Sequence, residues 1–262
     1  MMLKLCDSNS NKLILKVIPI LLTISIWPKD ALPAENSSHK KNGSLINAER
    51  CMRTFTYSIY LTGIHTGELK KIEQWQKDKV VVTSKSQASI LGITTTYNQR
   101  AELSWLESRH EWISTEFHQQ VSGFRSRDMQ VTLKNQGHQS EVDIDGKKAS
   151  YFDADIPLRD VDTLSIQIRQ NLIEGRKSFV LNRQATDGIE RYQYDVYAKK
   201  NITIYPWGEI TVIPVEQKGE DHITFFFSPD LGYQVVKAKY HGFLLKGLLE
   251  LDAYSSTCLK GY

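Results

Sequence analysis

Apolar and polar residues alternate along the chain from Met52 onward, and this period of two constrains the fold more than any other feature. In residues 53–61, every second residue from Phe55 is apolar or aromatic, while the residues between them carry hydroxyl groups. Such alternation is typical of antiparallel strands with one buried face and one face exposed to water. The sequence therefore predicts a mainly β protein.

Alternating segments recur along the rest of the chain, about thirteen in all, and short turn signals separate them. Asp145 and Gly146 form the strongest of these signals, because an Asp-Gly pair readily adopts the positive φ angles of a tight hairpin turn. Asp187 and Gly188 mark a second hairpin. Together these segments predict a large curved antiparallel sheet or an open β-barrel.

One stretch, residues 161–174, departs from the period of two. Its apolar residues recur at spacings of three and four: Val161, Leu164, Ile168 and Leu172. Gly175 follows as a C-terminal stop, and Asp160 and Asp162 precede it as N-terminal capping candidates. We expect one central amphipathic helix that covers one end or one face of the sheet.

Residues 1–34 have the pattern of a secretory signal peptide. Lysine residues precede the apolar residues 17–27, and Ala34 provides a small residue at the cleavage position. The apolar run is too short to cross a hydrocarbon core of about 30 Å. Cleavage would yield an exported, periplasmic protein without a transmembrane span, whereas retention of residues 13–27 would leave an N-terminal anchor.

The body of the chain follows a flexible polar linker at residues 35–47 and is predicted to form a single β-rich domain, residues 48–262. The formal net charge of the whole chain is +3. Residues 1–34 contribute about +2 of this charge, so the body carries about +1. A nucleic-acid binder needs a concentrated basic face, and this near-neutral balance predicts no nucleic-acid partner.

Two cysteines, Cys51 and Cys258, lie at opposite ends of the predicted domain. In an oxidising compartment an even pair is more often bridged than free, which predicts a disulfide that joins the two ends. Two unrelated buried thiols are the alternative. The pair lacks the short Cys-x-x-Cys spacing of a metal site, and we expect no metal ion.

The sequence contains none of the short motifs that define common catalytic sites. It has no Gly-x-Ser-x-Gly elbow, no paired-histidine zinc motif and no glycine-rich phosphate loop. Asp153, Asp155, Asp160 and Asp162 form the one dense acidic cluster, and we expect these carboxylates to be solvated loop and helix-capping groups. We therefore name no catalytic residue and no cofactor, and the sequence favours a protein that is not an enzyme.

Several segments carry a resemblance to a known family. They are FTYSIYLTGIHTGE at residues 55–68, residues 158–172, the pair Tyr192 and Tyr194, Gly208, and FFFSPDLGYQVVKA at residues 225–238. In these segments the chain resembles the domain of unknown function 3108 family of Gram-negative envelope proteins. The resemblance implies an exported, β-rich protein similar to the half-open barrels that carry lipoproteins or lipids across the periplasm, with no established chemistry.

Aromatic side chains on the predicted strands are the remaining signal of function. A sheet of more than about eight strands can enclose an apolar hollow. The residues expected to line it are Tyr57, Ile59, Trp105, Trp112, Tyr192, Tyr194, Phe225 and Phe227. The predicted function is a non-enzymatic carrier or binding protein for an apolar ligand, such as a lipid or acyl chain. The alternative is an envelope assembly module with a packed core, in which exposed strand edges bind a protein partner.

Overall fold

The structure is a computed structural model of the chain, and it shows a mainly β protein with one α-helix. The residues that it describes are 50–90, 92–123, 126–242 and 246–258. The predicted signal peptide (1–34) and linker (35–47) lie outside the described residues. Within them, the predicted fold class is confirmed.

The strand bounds follow the alternating segments closely. The first eight strands are β1 (Arg50–Leu61), β2 (Ile64–Gln76), β3 (Lys79–Ile90), β4 (Ile93–Leu106), β5 (Glu111–Ser122), β6 (Arg127–Lys134), β7 (Gln139–Ile144) and β8 (Lys147–Phe152). Next come β9 (Leu158–Arg159), the helix α1 (Leu164–Ile173), β10 (Ser178–Gln184), β11 (Ile189–Val196) and β12 (Lys200–Ile204). The last are β13 (Gly208–Lys218), β14 (Ile223–Ser228), β15 (Gln234–His241) and β16 (Lys246–Ser256). Alternation does not predict β9, because two residues are too few to show a period.

All the strands belong to one open sheet. Strands β1 to β8 pair in chain order as an antiparallel meander. On its other side β1 pairs with β16, and the sheet continues through β15, β14, β13, β11 and β10 to β9 at the opposite edge. Strand β12 pairs only with β13. The first and last strands therefore lie side by side in the middle of the sheet.

The two Asp-Gly pairs form different turns. Asp145 and Gly146 have φ angles of 51° and 83°, and they join β7 to β8 as the predicted tight hairpin turn. Between β10 and β11 the connection is longer, at residues 185–188, and the backbone N–H of Ala185 donates to the carbonyl of Gly188 (2.9 Å). An Asp-Gly pair thus lies in the connection of both hairpins, but only the β7–β8 connection is a two-residue turn.

Helix α1 lies between two distant parts of the sheet. Leu164, Ile168 and Leu172 pack into a cluster formed by β10, β11 and β13 to β15, whereas Ile166 packs into a cluster that contains Trp75 of β2. These strands are far apart in the sheet, so the sheet must curve around the helix. The predicted apolar stripe is therefore one of two packed faces of α1. Within the described ranges, no helix is long and apolar enough to cross a membrane.

The curvature brings the two ends of the sheet into contact without joining them by backbone pairing. Arg159 of β9 is fully buried, and its Nε donates to the carbonyl of Trp112 in β5 (3.2 Å). The same guanidinium lies 3.0 Å from the carboxylate of Glu111. Ser140 of β7 donates to the side-chain oxygen of Gln184 in β10 (2.5 Å). The sheet is thus an open, barrel-like roll with α1 inside it.

A disulfide joins Cys51 in β1 to Cys258, just after β16, with the Cα atoms 4.8 Å apart. The predicted pair is therefore bridged. Both cysteines pack beside a cluster of tryptophans that includes Trp75 and Trp112, whose rings meet edge to face at 5.2 Å. We call this region the disulfide end of the roll. It is closed by aromatic packing.

Removing the bridge should destabilise the protein. We expect Cys51→Ser combined with Cys258→Ser to lower the free energy of unfolding by up to about 5 kcal/mol, because the bridge joins positions 207 residues apart. Denaturant unfolding measures this change, and reduction of the wild type should cause the same loss. If Cys258 is alkylated in the unfolded but unreduced wild type, the pairing is wrong.

The position of α1 can be tested with two isoleucines of the same helix. Ile168→Ala should lower the free energy of unfolding by about 2–5 kcal/mol, because this side chain is fully buried between helix and sheet. Ile173→Ala is the matched control; its side chain is 48% exposed, and we expect a loss below about 1 kcal/mol. Thermal unfolding compares the two. Equal losses would contradict a helix enclosed by the sheet.

Candidate functional site

A cavity of about 580 Å³ lies inside the roll, towards the end opposite to the disulfide. Its walls are the start of α1, the β10–β11 connection and residues from strands in both halves of the sheet. Small-molecule sites typically have volumes of about 300–1,000 Å³. The cavity is therefore large enough for a small ligand.

Most of the cavity wall is apolar. Its apolar and aromatic residues include Tyr57, Ile59, Leu69, Phe117, Met129, Val161, Leu164, Ile189, Ile223, Phe225, Val235, Ala238, Leu248 and Leu249. Tyr57 and Ile59 occupy alternate positions of β1, and Ile223 and Phe225 do the same in β14. Residues two apart in a strand point to the same side of the sheet. The alternation that predicts the strands therefore also builds this wall.

The eight residues expected to line a hollow fall into three places. Tyr57, Ile59 and Phe225 line the cavity. Trp105 and Trp112 belong to the cluster at the disulfide end. The remaining three, Tyr192, Tyr194 and Phe227, are fully buried in the cluster that packs against α1.

The cavity wall also contains charged residues that the aromatic pattern does not predict: Lys71, Arg127, Asp162, Arg183, Asp187, Glu190, Glu220 and Asp221. The sequence does indicate some of these charged residues, because they lie at positions of a strand whose neighbours two residues away are apolar and point inward. Lys71 follows Leu69 by two residues in β2, and Arg127 precedes Met129 by two in β6. A charged residue at an inward strand position is unusual enough to indicate a functional or paired group.

Lys71 is held by acceptors on two elements. Its Nζ lies 3.1 Å from the carboxylate of Glu73 and donates to Ser165 Oγ (2.9 Å) and to the carbonyl of Asp162 (3.0 Å). Burial opposes ionisation of Glu73, but the charges of Lys71 and Arg53 hold its pKa below the usual value. The ion pair lies within β2, and the hydrogen bonds of Lys71 to Ser165 and Asp162 connect this strand to the start of α1.

Arg183 is held by a second network on the facing strands. Its guanidinium pairs with Glu190 and, at 3.4 Å, with Asp221. Tyr192 donates its hydroxyl to the carboxylates of Glu190 (2.6 Å) and Asp221 (3.2 Å). Burial opposes ionisation of Arg183, but the groups around it, Tyr192 and the two carboxylates, raise its pKa.

Asp160 is fully buried in the turn that precedes α1. Its Oδ1 accepts the backbone N–H groups of Asp162 (3.0 Å) and Thr163 (3.2 Å), together with the side-chain amide of Gln99 (2.6 Å). Its Oδ2 accepts the hydroxyl of Ser114 (3.1 Å). These bonds organise the turn at residues 160–163 that leads into α1. The N-cap position itself is Thr163, which forms no side-chain cap hydrogen bond, so Asp160 does not occupy the predicted capping position.

Asp162 lies beside Asp160 and lines the cavity. Tyr97 donates its hydroxyl to Asp162 Oδ2 (3.1 Å). Burial and the adjacent Asp160 carboxylate raise the pKa of Asp162 to about 6, and burial also raises the pKa of Asp160. Asp155 is exposed and Asp153 is partly exposed. The expectation of solvated carboxylates is therefore wrong for Asp160 and Asp162, because the loop that carries them enters the roll.

An apolar wall offers contact area, and polar groups at one side can fix the orientation of a ligand. In the part of the chain that the structure describes, no group of three or more His, Cys, Asp or Glu side chains is arranged to hold a metal ion.

Comparison with known proteins gives information on the fold alone. No family model matches the chain, and no curated protein matches it. The chain is similar to a solved structure, the beta-barrel-like protein of the domain of unknown function DUF1849 from Brucella abortus. The TM-score is 0.53 at 7% sequence identity, and the match covers 82% of this chain and 100% of that chain. This likeness supports a β-barrel-like domain of unknown function, and it does not extend to the domain of unknown function 3108 family.

The raised pKa of Asp162 predicts a pH effect on stability. Between about pH 4 and pH 6 the folded state retains a proton that the unfolded state has lost, so the free energy of unfolding falls as pH rises. Asp162→Asn should remove this dependence on pH. The difference in the free energy of unfolding between the variant and the wild type should therefore change by at most about 3 kcal/mol between about pH 4 and pH 6. Denaturant unfolding at several pH values measures it, with the exposed Asp155→Asn as control. Parallel profiles for wild type and Asp162→Asn would contradict the prediction.

Proposed function

We propose that this protein is a periplasmic carrier or binding protein that holds an apolar ligand, such as a lipid or acyl chain, and catalyses no reaction. The observation that carries the proposal is the cavity of about 580 Å³ with a mainly apolar wall inside the roll. A ligand that fills it removes apolar surface from water, which favours binding by roughly 25 cal/mol per Å² before the cost of association.

Two networks of buried charged groups in the cavity wall favour an open cavity. Lys71, which pairs with Glu73, holds β2 beside α1 through its bonds to Ser165 and Asp162. Arg183 with its two carboxylates connects β10, β11 and the residues between β13 and β14. Fully satisfied polar networks are rigid, because any displacement leaves buried charges unpaired. These networks oppose collapse of the apolar wall when no ligand is present.

The predicted location of the protein agrees with this role. The signal-peptide pattern of residues 1–34 and the bridge between Cys51 and Cys258 both favour an oxidising compartment outside the cytoplasm. The similarity of its motifs to the domain of unknown function 3108 family, and through it to lipid and lipoprotein carriers, is part of the same proposal.

A protein-interaction module is the second candidate, and one edge of the sheet favours it. Among the described strands, β8 pairs only with β7, and Phe152 at its end is 64% exposed. An unpaired edge strand can accept a strand from a partner. However, Lys147 and Lys148 begin β8, and lysines on an edge oppose such pairing. The edge therefore supports a partner less strongly than the cavity supports a ligand.

Filling the cavity should abolish uptake of an apolar probe. The wild type should bind N-phenyl-1-naphthylamine, an uncharged probe that fluoresces in apolar surroundings, in a saturable manner. Ala238→Phe should weaken this binding by about tenfold or more, because the ring would occupy the cavity. Ala253→Phe, at an exposed position of β16, is the matched control and should bind like wild type.

The alternative gives a different result. A wild type that takes up no probe, and that shows no bound lipid by native mass spectrometry after purification from a bacterial periplasm, would refute the carrier role. Cross-linking to one specific envelope protein in that case would support the interaction module.

A further inference from the structure

We infer that the cavity selects an amphiphile with an anionic head group, and that Arg127 pairs with that head group. The inference rests on the proposed function, since it assigns the polar part of the ligand whose apolar part the cavity wall would hold.

Arg127 occupies the wall as the first residue of β6, two residues before the buried Met129. Its Nη2 donates to the side-chain oxygen of Gln119 in the neighbouring strand β5. Its Nε is shielded from solvent and has no hydrogen-bond partner among the described residues. A guanidinium has five N–H donors, so most of its hydrogen-bonding capacity remains for a ligand.

The other two cations of the cavity have carboxylate partners. Lys71 lies 3.1 Å from Glu73, and Arg183 pairs with Glu190. Arg127 forms no ion pair with any carboxylate in the ranges 50–90, 92–123, 126–242 and 246–258. Arg127 is half-buried, so its guanidinium retains partial contact with water, but charges at such inward positions are usually paired. An anionic ligand would supply the missing partner.

The acidic groups nearest to Arg127 are already engaged. Asp145 attracts it at longer range, but its Oδ1 accepts the backbone N–H of Asp128 (2.9 Å). Burial lowers the pKa of Arg127, and Tyr97 and Asp145 oppose that shift. Neither group replaces a direct counter-ion.

A chain of amides fixes the guanidinium from behind. Gln119 accepts from Arg127 and donates to the side-chain oxygen of Gln99 (3.0 Å), which in turn donates to Asp160 (2.6 Å). The side-chain amide dipoles of Gln119 and Gln99 are aligned along this chain, which runs from the positive guanidinium of Arg127 to the negative carboxylate of Asp160. Arg127 is thus pre-organised, which lowers the entropy that binding must overcome.

The preference for an anion is local to Arg127 and is not a property of the whole wall, which also carries Asp162, Asp187, Glu190, Glu220 and Asp221. On the facing wall, Arg183 and Tyr192 bind the carboxylates of Glu190 and Asp221 and so reduce what these two groups offer to a cationic head group. A carboxylate or phosphate on Arg127 would form charge-assisted hydrogen bonds, each worth about 1.5–3 kcal/mol. The expected ligand is a single-chain amphiphile with such an acid group.

Displacement of N-phenyl-1-naphthylamine from the full chain tests the inference. Decanoate, decyl phosphate and decanol have the same alkyl chain and differ in the head group. At about pH 8, where both acids are ionised, at least one of the two anions should displace the probe at a concentration tenfold or more below that of decanol. The anion preferred identifies the acid group. Equal displacement by all three would overturn the inference.

Substitutions then locate the effect. Arg127→Gln should reduce the preference for the anion over decanol to about one, with unchanged affinity for the uncharged probe. Arg127→Lys, which retains the charge, should keep part of the preference. Arg191→Gln makes the same charge change at a residue whose side chain is 55% exposed, and should behave like wild type. A preference that survives in Arg127→Gln would overturn the inference.

Two readouts separate this inference from the proposed function and from a structural role. If the wild type does not bind the probe, the proposed function and the inference both fail; if it binds the probe without preference for an anion, only the inference fails. The melting temperature of Arg127→Gln should equal or exceed that of the wild type, because the substitution removes an uncompensated charge. A lower melting temperature with the anion preference intact would assign Arg127 a structural role instead.

Discussion

The enclosure of one helix by one sheet is the constraint on which the rest of the structure depends. Helix α1 has two packed faces, with Ile168 against the C-terminal strands and Ile166 against the N-terminal strands. A flat sheet could cover only one of them, so burial of both requires the roll. The roll in turn brings Arg159 at one edge of the sheet onto β5, and it leaves a hollow where the helix begins.

The two ends of the roll use different physical chemistry. At the disulfide end, tryptophans fill the interior and the hydrophobic effect is the main stabilising contribution. At the other end, inward positions carry Lys71, Arg127 and Arg183 among apolar residues. Buried charges contribute little net stability, since the cost of removing them from water offsets their attraction. The disulfide end also holds buried charges, since Arg53 lies over the ring of Trp75 and pairs with Glu73. The cavity, and not the presence of charge, therefore distinguishes the other end.

Sequence patterns predict the elements of this fold well and the site only in part. Alternation and helical spacing depend on local geometry, so the strands and α1 follow directly from them. The second packed face at Ile166 does not, because it exists only once the sheet has rolled. Periodicity assigns Phe225 and Trp112 to buried positions but not to a depth along the roll, and only Phe225 reaches the cavity. Lys71 is visible as an interruption of an apolar face, whereas its pairing with Glu73 depends on the folded geometry.

The pairing of β1 with β16 has a consequence for how the chain assembles. Strands β1 to β8 bond to their neighbours in sequence, so this half can form from contacts of short range. The pairing of β1 with β16, which places Arg53 opposite Ser256, instead brings together residues from nearly opposite ends of the domain. Contacts between residues so far apart in sequence form slowly. Until the last strand arrives, β1 and β15 both present unsatisfied N–H and C=O groups, which are sites for aggregation. Loss of β16 alone would thus leave β1 and β15 unpaired in the centre of the sheet, whereas loss of an edge strand would only make the sheet narrower.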